Sequence, residues 1–419
     1  MPQLNKWEDS WLYVYFNDSK DVLPTQFIET VVIWESINML FPVMAMRFQD
    51  LRSIALDHEG FAKIQILFGT DQSNFSIWNF INTVMKESPI TYLKEPTLQS
   101  RILECIDETS LKYLATSKIK GYGYTTASNV IRTIVNNIHR DEKQLTLNIE
   151  ESVDKNYYVQ AGFTNSQFIY YLADRAVNSN GYGGYFAWID YRHQDASNQQ
   201  FFSRFNFTTV EKLSNQDVKA EIIYNTHHNV LGEAKANRGI LKDGSILAWG
   251  LSIGYDSFPT VRSYSRKVAW YDIENLRYME TEKDIEDFKR LGNKQREEIK
   301  KYDPIFKHYD NYLQNNDLRL TRLDYAATST SSEVKGIATK SMQRNWFKRH
   351  CAIQIFGNLK LRVGDKVKLT VPLAAHKPFM ESLSGEWIIA KMIHMIAFPA
   401  TDYIIKVVLA RDEWLGDIV

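Results

Sequence analysis

From Lys366 to Val371 the chain alternates polar and apolar side chains with a period of two. Only an extended strand puts Val367, Leu369 and Val371 on one face and Lys366, Lys368 and Thr370 on the other. The flanking residues say where such strands stop. Gly357-Asn358 after CAIQIFG and Gly364-Asp365 before KVKLTV suit tight turns. Pro372 lacks the amide hydrogen that a ladder needs. Two short turns joining three strands predict an antiparallel meander. The tail repeats the pattern, with Gly385 opening EWIIAKMIHMI and Pro399 separating it from DYIIKVVLARD. Trp387, Ile389, Lys391, Ile393 and Met395 alternate with Ile388, Ala390, Met392, His394 and Ile396, and neither set is strongly polar. Both faces of this strand are expected to be covered. A small barrel core would cover one; a neighbouring domain, a second subunit or the monomer itself would cover the other.

Strand signals recur through the chain. WLYVYF (11–16), FIETVVIWESIN (27–38), PVMAMRFQDL (42–51), FAKIQILFG (61–69), FSIWNFINTVM (75–85) and LQSRILECID (98–107) are rich in β-branched and aromatic residues. They fit a small barrel or a sandwich, taken as a β-barrel-like domain over residues 1–115. Residues 116–210 read as a mixed α+β domain. There a helix over 125–139 starts at a Thr125 or Thr126 cap and repeats Val130, Ile131, Ile134, Val135 and Ile138 at helical spacing. A second helix over 165–177 puts Phe168, Tyr171, Leu172 and Ala176 on one face. LTLNIEESV reads as a strand, and YFAWIDY (185–191) can pair with FFSRFNF (201–207). Residues 211–419 form a second β-barrel-like domain, with strand material in EIIYNTH, SILAWGLSIGY, TVRSYSRKVAWYD and LRLTRLDYAAT. The charged run 279–309 interrupts it as a predicted helical insertion, with Glu286–Arg290 and Glu297–Lys301 spaced for ion pairs and Gly292 dividing it. The fold class is therefore mainly β with α+β parts.

Composition narrows the function. Fifty Lys plus Arg balance fifty Asp plus Glu, which predicts no specific nucleic-acid partner. The 23 Tyr and 22 Phe suit strands and interfaces. Cys105 and Cys351 form neither a metal-binding pair nor a disulfide framework. The start lacks a signal-peptide pattern and no run of 18 apolar residues occurs, so synthesis in a reducing cytoplasm without stable membrane insertion is expected.

Candidate chemistry is sparse. GYGYTT (121–126) and GYGGY (181–185) lack a phosphate-loop context and read as turns. His139-Arg140-Asp141 reads as a helix end, because the downstream kinase residues are missing. His227 and His228 would point to opposite faces of a strand. Asp190 with His193 supplies too few ligands for a metal, and Tyr224 or Glu233 would help only if the fold gathered them. A glycan hydrolase needs just two acids brought together. Asp190, Glu274 and the acids of 280–298 read instead as solvated surface groups. RNWFKRH (344–350), with Trp346 and Phe347, could touch a phosphate but is expected to lead into the last barrel. His394 reads as a hydrogen-bonded barrel or interface residue. No catalytic, cofactor-binding or metal-binding residue is assigned.

The C-terminal blocks resemble the last barrel of the baseplate hub proteins of contractile phage tails and related contractile injection particles. The residues that carry this are Ile355, Gly357, Asn358, Leu361, Gly364, Asp365, Val367, Leu369 and Pro372, then Leu383, Ser384, Gly385, Trp387, Ile389 and His394, then Tyr403, Leu409, Arg411 and Asp412. The order of LECIDETSLKYL, ASNVIRTIVNNI, FIYYLADRA and YGGYFAWIDY is similar to that of hub middle regions. The resemblance implies two small β-barrel hub domains per subunit and a non-catalytic homotrimer that adapts a six-fold tail tube to a three-fold central spike. It implies as partners the spike, the tube or its initiator and the surrounding baseplate wedge proteins, within the contractile-tail baseplate of a virion. A peripheral baseplate subunit and a tail-associated glycan hydrolase are the alternative roles.

Overall fold

The computed structural model describes residues 11–16, 23, 25–50, 62–69, 75–87, 99–140, 145–180, 184–194, 201–223, 246–250, 265–272, 277–284, 322–326, 349–356, 359, 361–370, 384–397 and 403–411. The six N-terminal strands form where the apolar alternation predicts them: β1 (Trp11–Phe16), β2 (Ile28–Ser36), β3 (Val43–Asp50), β4 (Lys63–Gly69), β5 (Phe75–Glu87) and β6 (Gln99–Asp107). In β4 the pattern is strict: Ile64, Ile66 and Phe68 are buried, while Lys63 and Gln65 are exposed. All six pair antiparallel in the order β1-β4-β5-β6-β3-β2.

The middle region contains α1 (Ser110–Leu114), β7 (Ser117–Thr126), α2 (Ala127–Ile138), β8 (Leu145–Ile149), β9 (Lys155–Thr164), α3 (Asn165–Ala173), β10 (Tyr185–Gln194), β11 (Phe201–Thr209) and α4 (Val210–Ser214). Helix α2 starts where Thr126 accepts from the Asn129 amide, satisfying one of the first-turn donors. Thr164 and Gln167 form a reciprocal capping box at α3. Val130, Ile131, Ile134 and Val135 from α2 meet Phe168 and Leu172 from α3 and Phe205 and Phe207 from β11 in one core. Strand β10 serves two cores by its alternation: Ala187 and Ile189 face this one, and Trp188 faces the main one.

The remaining strands are β12 (Val218–Ile223), β13 (Ile246–Gly250), β14 (Ser265–Asp272), β15 (Arg277–Asp284), β16 (Arg322–Ala326), β17 (Arg349–Phe356), β18 (Lys366–Thr370), β19 (Gly385–Ala397) and β20 (Tyr403–Arg411). The fold is mainly β. Strand β19 pairs with β2, so N-terminal and C-terminal strands form one twelve-stranded sheet that continues β2-β19-β20-β17-β13. Their buried side chains make one shared core, from Leu12 and Val14 to Val407 and Leu409.

Several local expectations are corrected. The three-strand meander does not form. β18 pairs antiparallel with β19 and parallel with β12, while β17 pairs with β20 and β13. The cause lies between β17 and β18, where Leu359, Leu361 and Val363 turn into the main core instead of forming a hairpin strand. There the Arg362 amide donates to Asp365 Oδ2 at 2.8 Å, and the Gly364 amide donates to the Ile389 carbonyl at 2.8 Å. The first residues of the charged run, up to Asp284, belong to strand β15 paired with β14, and 285–309 lie outside the described residues. GYGYTT is the end of strand β7, not a turn, because it pairs with β9 around a bulge.

The faces of β19 also differ from simple alternation. Trp387 and Ile389 are buried in the core, but then so are Met392, His394 and Ile396. A bulge between Ile389 and Lys391 inserts Ala390 and shifts the phase by one. The Ala390 carbonyl accepts instead from the Ile37 amide at 3.1 Å and from Ser36 Oγ at 3.2 Å. Lys391, Ile393 and Met395 consequently lie half-buried on the outer face.

Candidate functional site

One buried polar group lies where β2 meets β19. The β19 bulge turns His394 inward, opposite Ile33 on β2 and Ile405 on β20. Its Nε2 is 2.9 Å from Glu35 Oε2, and its Nδ1 is 2.6 Å from the Tyr403 hydroxyl. All three residues are buried, with His394 only 1% exposed. A carboxylate at Glu35 can only accept, so Nε2–H is the donor there. On the other side of the ring, Nδ1 and the Tyr403 hydroxyl share a hydrogen bond. Trp78 of β5 tilts against the His394 ring at 5.5 Å, and Phe68 of β4 meets the edge of Tyr403 at 4.4 Å. N-terminal side chains thus enclose a C-terminal imidazole. Each ring nitrogen of His394 has a partner, which lowers the cost of burying the imidazole. The chemistry of the arrangement is cohesive: it fixes the register of the seam. His394 is hydrogen-bonded, as expected.

A second junction joins the middle region to the C-terminal strands. Gly364 has φ +88°, and a Cβ there would lie 2.6 Å from Trp188 Cζ2. The Gly364 carbonyl also accepts from Gln216 Nε2 at 2.6 Å. Two residues along β10, Asp190 is 1% exposed, which corrects its reading as a solvated acid. Arg204 donates to Asp190 Oδ2 through Nε at 3.1 Å and Nη2 at 2.9 Å, and Asn206 Nδ2 donates at 3.1 Å. The Arg362 guanidinium lies 4.0 Å from Oδ1. The signal that would have located these partners is the pairing of YFAWIDY with FFSRFNF, which sets Asp190 opposite Arg204.

The third polar cluster holds the start of α2. Asp154 Oδ2 accepts from the Ala127 amide at 3.0 Å and from the Tyr158 hydroxyl, while Oδ1 accepts from the Val177 amide at 3.4 Å. Burial pushes the Asp154 carboxyl above its ordinary value of 3.8, against the opposing pull of these donors and Ser152. A raised folded-state value means that Asp154 contributes stability below its unfolded value, and that this is lost as pH rises through the folded value. Asp154→Ala does not titrate at this position. The stability gap between wild type and Asp154→Ala is therefore expected to narrow as pH rises from about 3 to neutrality, read by urea unfolding across a pH series.

The other sequence candidates do not converge. His139 is the C-terminal cap of α2, as its reading as a helix end requires, and its Nε2 lies 2.9 Å from the Tyr113 hydroxyl. His193 falls on β10, and His350 on β17 is half-buried with its pKa lowered by burial. Asp141, Tyr224, His227, His228, Glu233, Glu274, Trp346 and Phe347 lie outside the described residues. Among the described residues, no group of three His, Cys, Asp or Glu is placed to hold a metal ion. Burial pushes the thiols of Cys105 and Cys351 up to about 12 and about 11, away from nucleophilic thiolate chemistry. No described helix is long and apolar enough to cross a membrane.

No protein-family model matches the sequence, and no curated protein matches it. Solved structures do match. A tail protein from Neisseria meningitidis MC58 superposes with a TM-score of 0.54 at 9% identity, over 96% of this chain and 97% of its own. The 43 kDa tail protein of prophage MuSo2 from Shewanella oneidensis gives a TM-score of 0.54 at 9% identity, over 97% of this chain and 100% of its own. Along nearly its whole length, then, the chain has the fold of these tail proteins.

Proposed function

We propose that the chain is a structural hub subunit of a contractile-tail baseplate, forming a homotrimeric adaptor between a six-fold tail tube and a three-fold central spike. The observation that carries this reading is the paired build of the twelve-stranded sheet, within a fold shared with tail proteins. From the seam, β2-β3-β6-β5-β4-β1 runs one way and β19-β20-β17-β13 runs the other, with β18 and β12 branching from β19. One chain thus presents six strands on each side of the seam, and a closed three-fold ring would present six such sets. We take 1–115 and 211–419 as the two barrel-like hub units and 116–210 as the mixed unit between them. The proposed partners are the spike, the tube or its initiator, and baseplate wedge proteins. The proposed location is the virion baseplate, after synthesis in the host cytoplasm. The proposed role is mechanical, with no catalytic step.

Native mass measurement tests the assembly. A species near three times the 48.8 kDa chain mass is expected, alone or on mixing with spike protein. A chain that stays monomeric at high concentration, with or without spike protein, overturns the reading. Electron microscopy of the particle separates an axial trimer from a single off-axis copy.

A further inference from the structure

The β7–β9 ribbon is distinguished by what it leaves uncovered. Its inner face packs toward α2 and α3, with Tyr158 and Gln160 buried and the Tyr122 hydroxyl donating to Gln160 Oε1 at 3.0 Å. Its outer face carries Ile119 at 89% exposure, Tyr157 at 71%, Tyr124 at 62% and Val159 at 53%. The register gathers them: Ile119 lies opposite Ala161, Gly121 opposite Val159, and Tyr124 opposite Tyr157. One extra β7 residue between the last two pairs makes a bulge, with Gly123 at φ +74°. That bulge brings Tyr124 to the outer face, where its ring centroid is 5.3 Å from that of Tyr157. The exposed side chains present on the order of 500 Å², the size at which a surface patch marks an interaction site.

Two further observations say what fits there. Among the described residues β7 and β9 pair only with each other, so the outer edge of β7 offers free backbone donors and acceptors. The two strands carry Lys118, Lys120 and Lys155 and no carboxylate, in a chain whose opposite charges balance. A lipid surface would cover the apolar face but leave the edge amides unsatisfied. A second copy of the ribbon would set lysines against lysines. An extended, acidic polypeptide answers both the edge and the charge.

We propose that the 117–121 edge of β7 binds an extended, carboxylate-bearing segment of another protein by strand addition. Apolar residues of that segment cover Ile119 and Val159, and its acids lie beside Lys118 and Lys120. This rests on the ribbon alone and not on the hub assignment. The test uses the full chain with a blocked octapeptide alternating Glu and Val, beside one alternating Lys and Val, and follows amide exchange. The Glu/Val peptide is expected to slow exchange along 117–121, and the Lys/Val peptide to leave it unchanged. In the Lys118→Glu/Lys120→Glu variant, both at exposed positions, the Glu/Val peptide is expected to lose about tenfold in affinity, from two reversed cross-strand pairs. Equal protection by both peptides, or none, overturns the proposal. So does protection that grows with protein concentration alone, which points to a second copy, or protection by anionic vesicles without peptide.

Discussion

Gly364→Ala is expected to lower the unfolding free energy by about 3 kcal/mol, the sum of a strained backbone and an overpacked contact. At φ +88° an L side chain meets its own backbone, whatever space lies around it. Space is also lacking, because the new Cβ would sit 2.6 Å from Trp188 Cζ2 and 3.2 Å from Cη2. Trp188 is 3% exposed in the main core, and its ring moves only if its neighbours move. The backbone is equally committed, since the Gly364 amide and carbonyl bond Ile389 and Gln216. Gly123 supplies the control. It has φ +74° with nothing within 4 Å of a Cβ, so Gly123→Ala reports backbone strain alone, about 1 kcal/mol. Denaturant midpoints of both variants separate the two contributions. Equal shifts would show that Trp188 yields freely. A Gly364→Ala/Trp188→Phe double variant is expected to recover part of the loss.

His394→Ala is expected to cost about 3–4 kcal/mol, combining a lost charge-assisted hydrogen bond, a lost hydroxyl partner and a cavity beside Trp78. Tyr403→Phe removes one hydroxyl and is expected to cost about 1 kcal/mol. The discriminating readout is where protection is lost. Amide exchange in His394→Ala should accelerate first along the β2–β19 pairing, from Thr30 to Ser36 and from Lys391 to Ala397, while α2 and α3 keep their protection. Uniform acceleration would mean that the group stabilises the whole fold without holding the seam in particular.

The parts of this fold that a reader could take from the sequence are those whose causes are local. β4 shows its burial in the alternation of Ile64, Ile66 and Phe68, and α2 shows its start in Thr126 and its apolar face in Val130, Ile134 and Val135. The features missed depend on distant partners or a single inserted residue. Ala390 reverses the inward face of β19, and alternation counted straight through it assigns Ile393 and His394 to the wrong sides. β18 lies parallel to β12, a partner nearly 150 residues earlier, and no turn signal announces that. The glycines of β7 read as turn residues, yet Gly121 pairs with Val159 and Gly123 sits in a strand bulge. For the candidate site, the hub-like pattern singled out His394 but not Glu35, its partner 359 positions away. Asp190 looked like a surface acid until strand register supplied Arg204 and Asn206.

The pairing of β2 with β19 sets the order in which this molecule can be made. Val31 and Ile33 leave the ribosome hundreds of residues before Ile396 and His394, the residues across from them. Until then the free side of β2 is an open template, able to recruit a strand from any nearby nascent chain. Closing so large a loop makes the final step slow, and a translation stall late in the message leaves the N-terminal half folded around a missing edge.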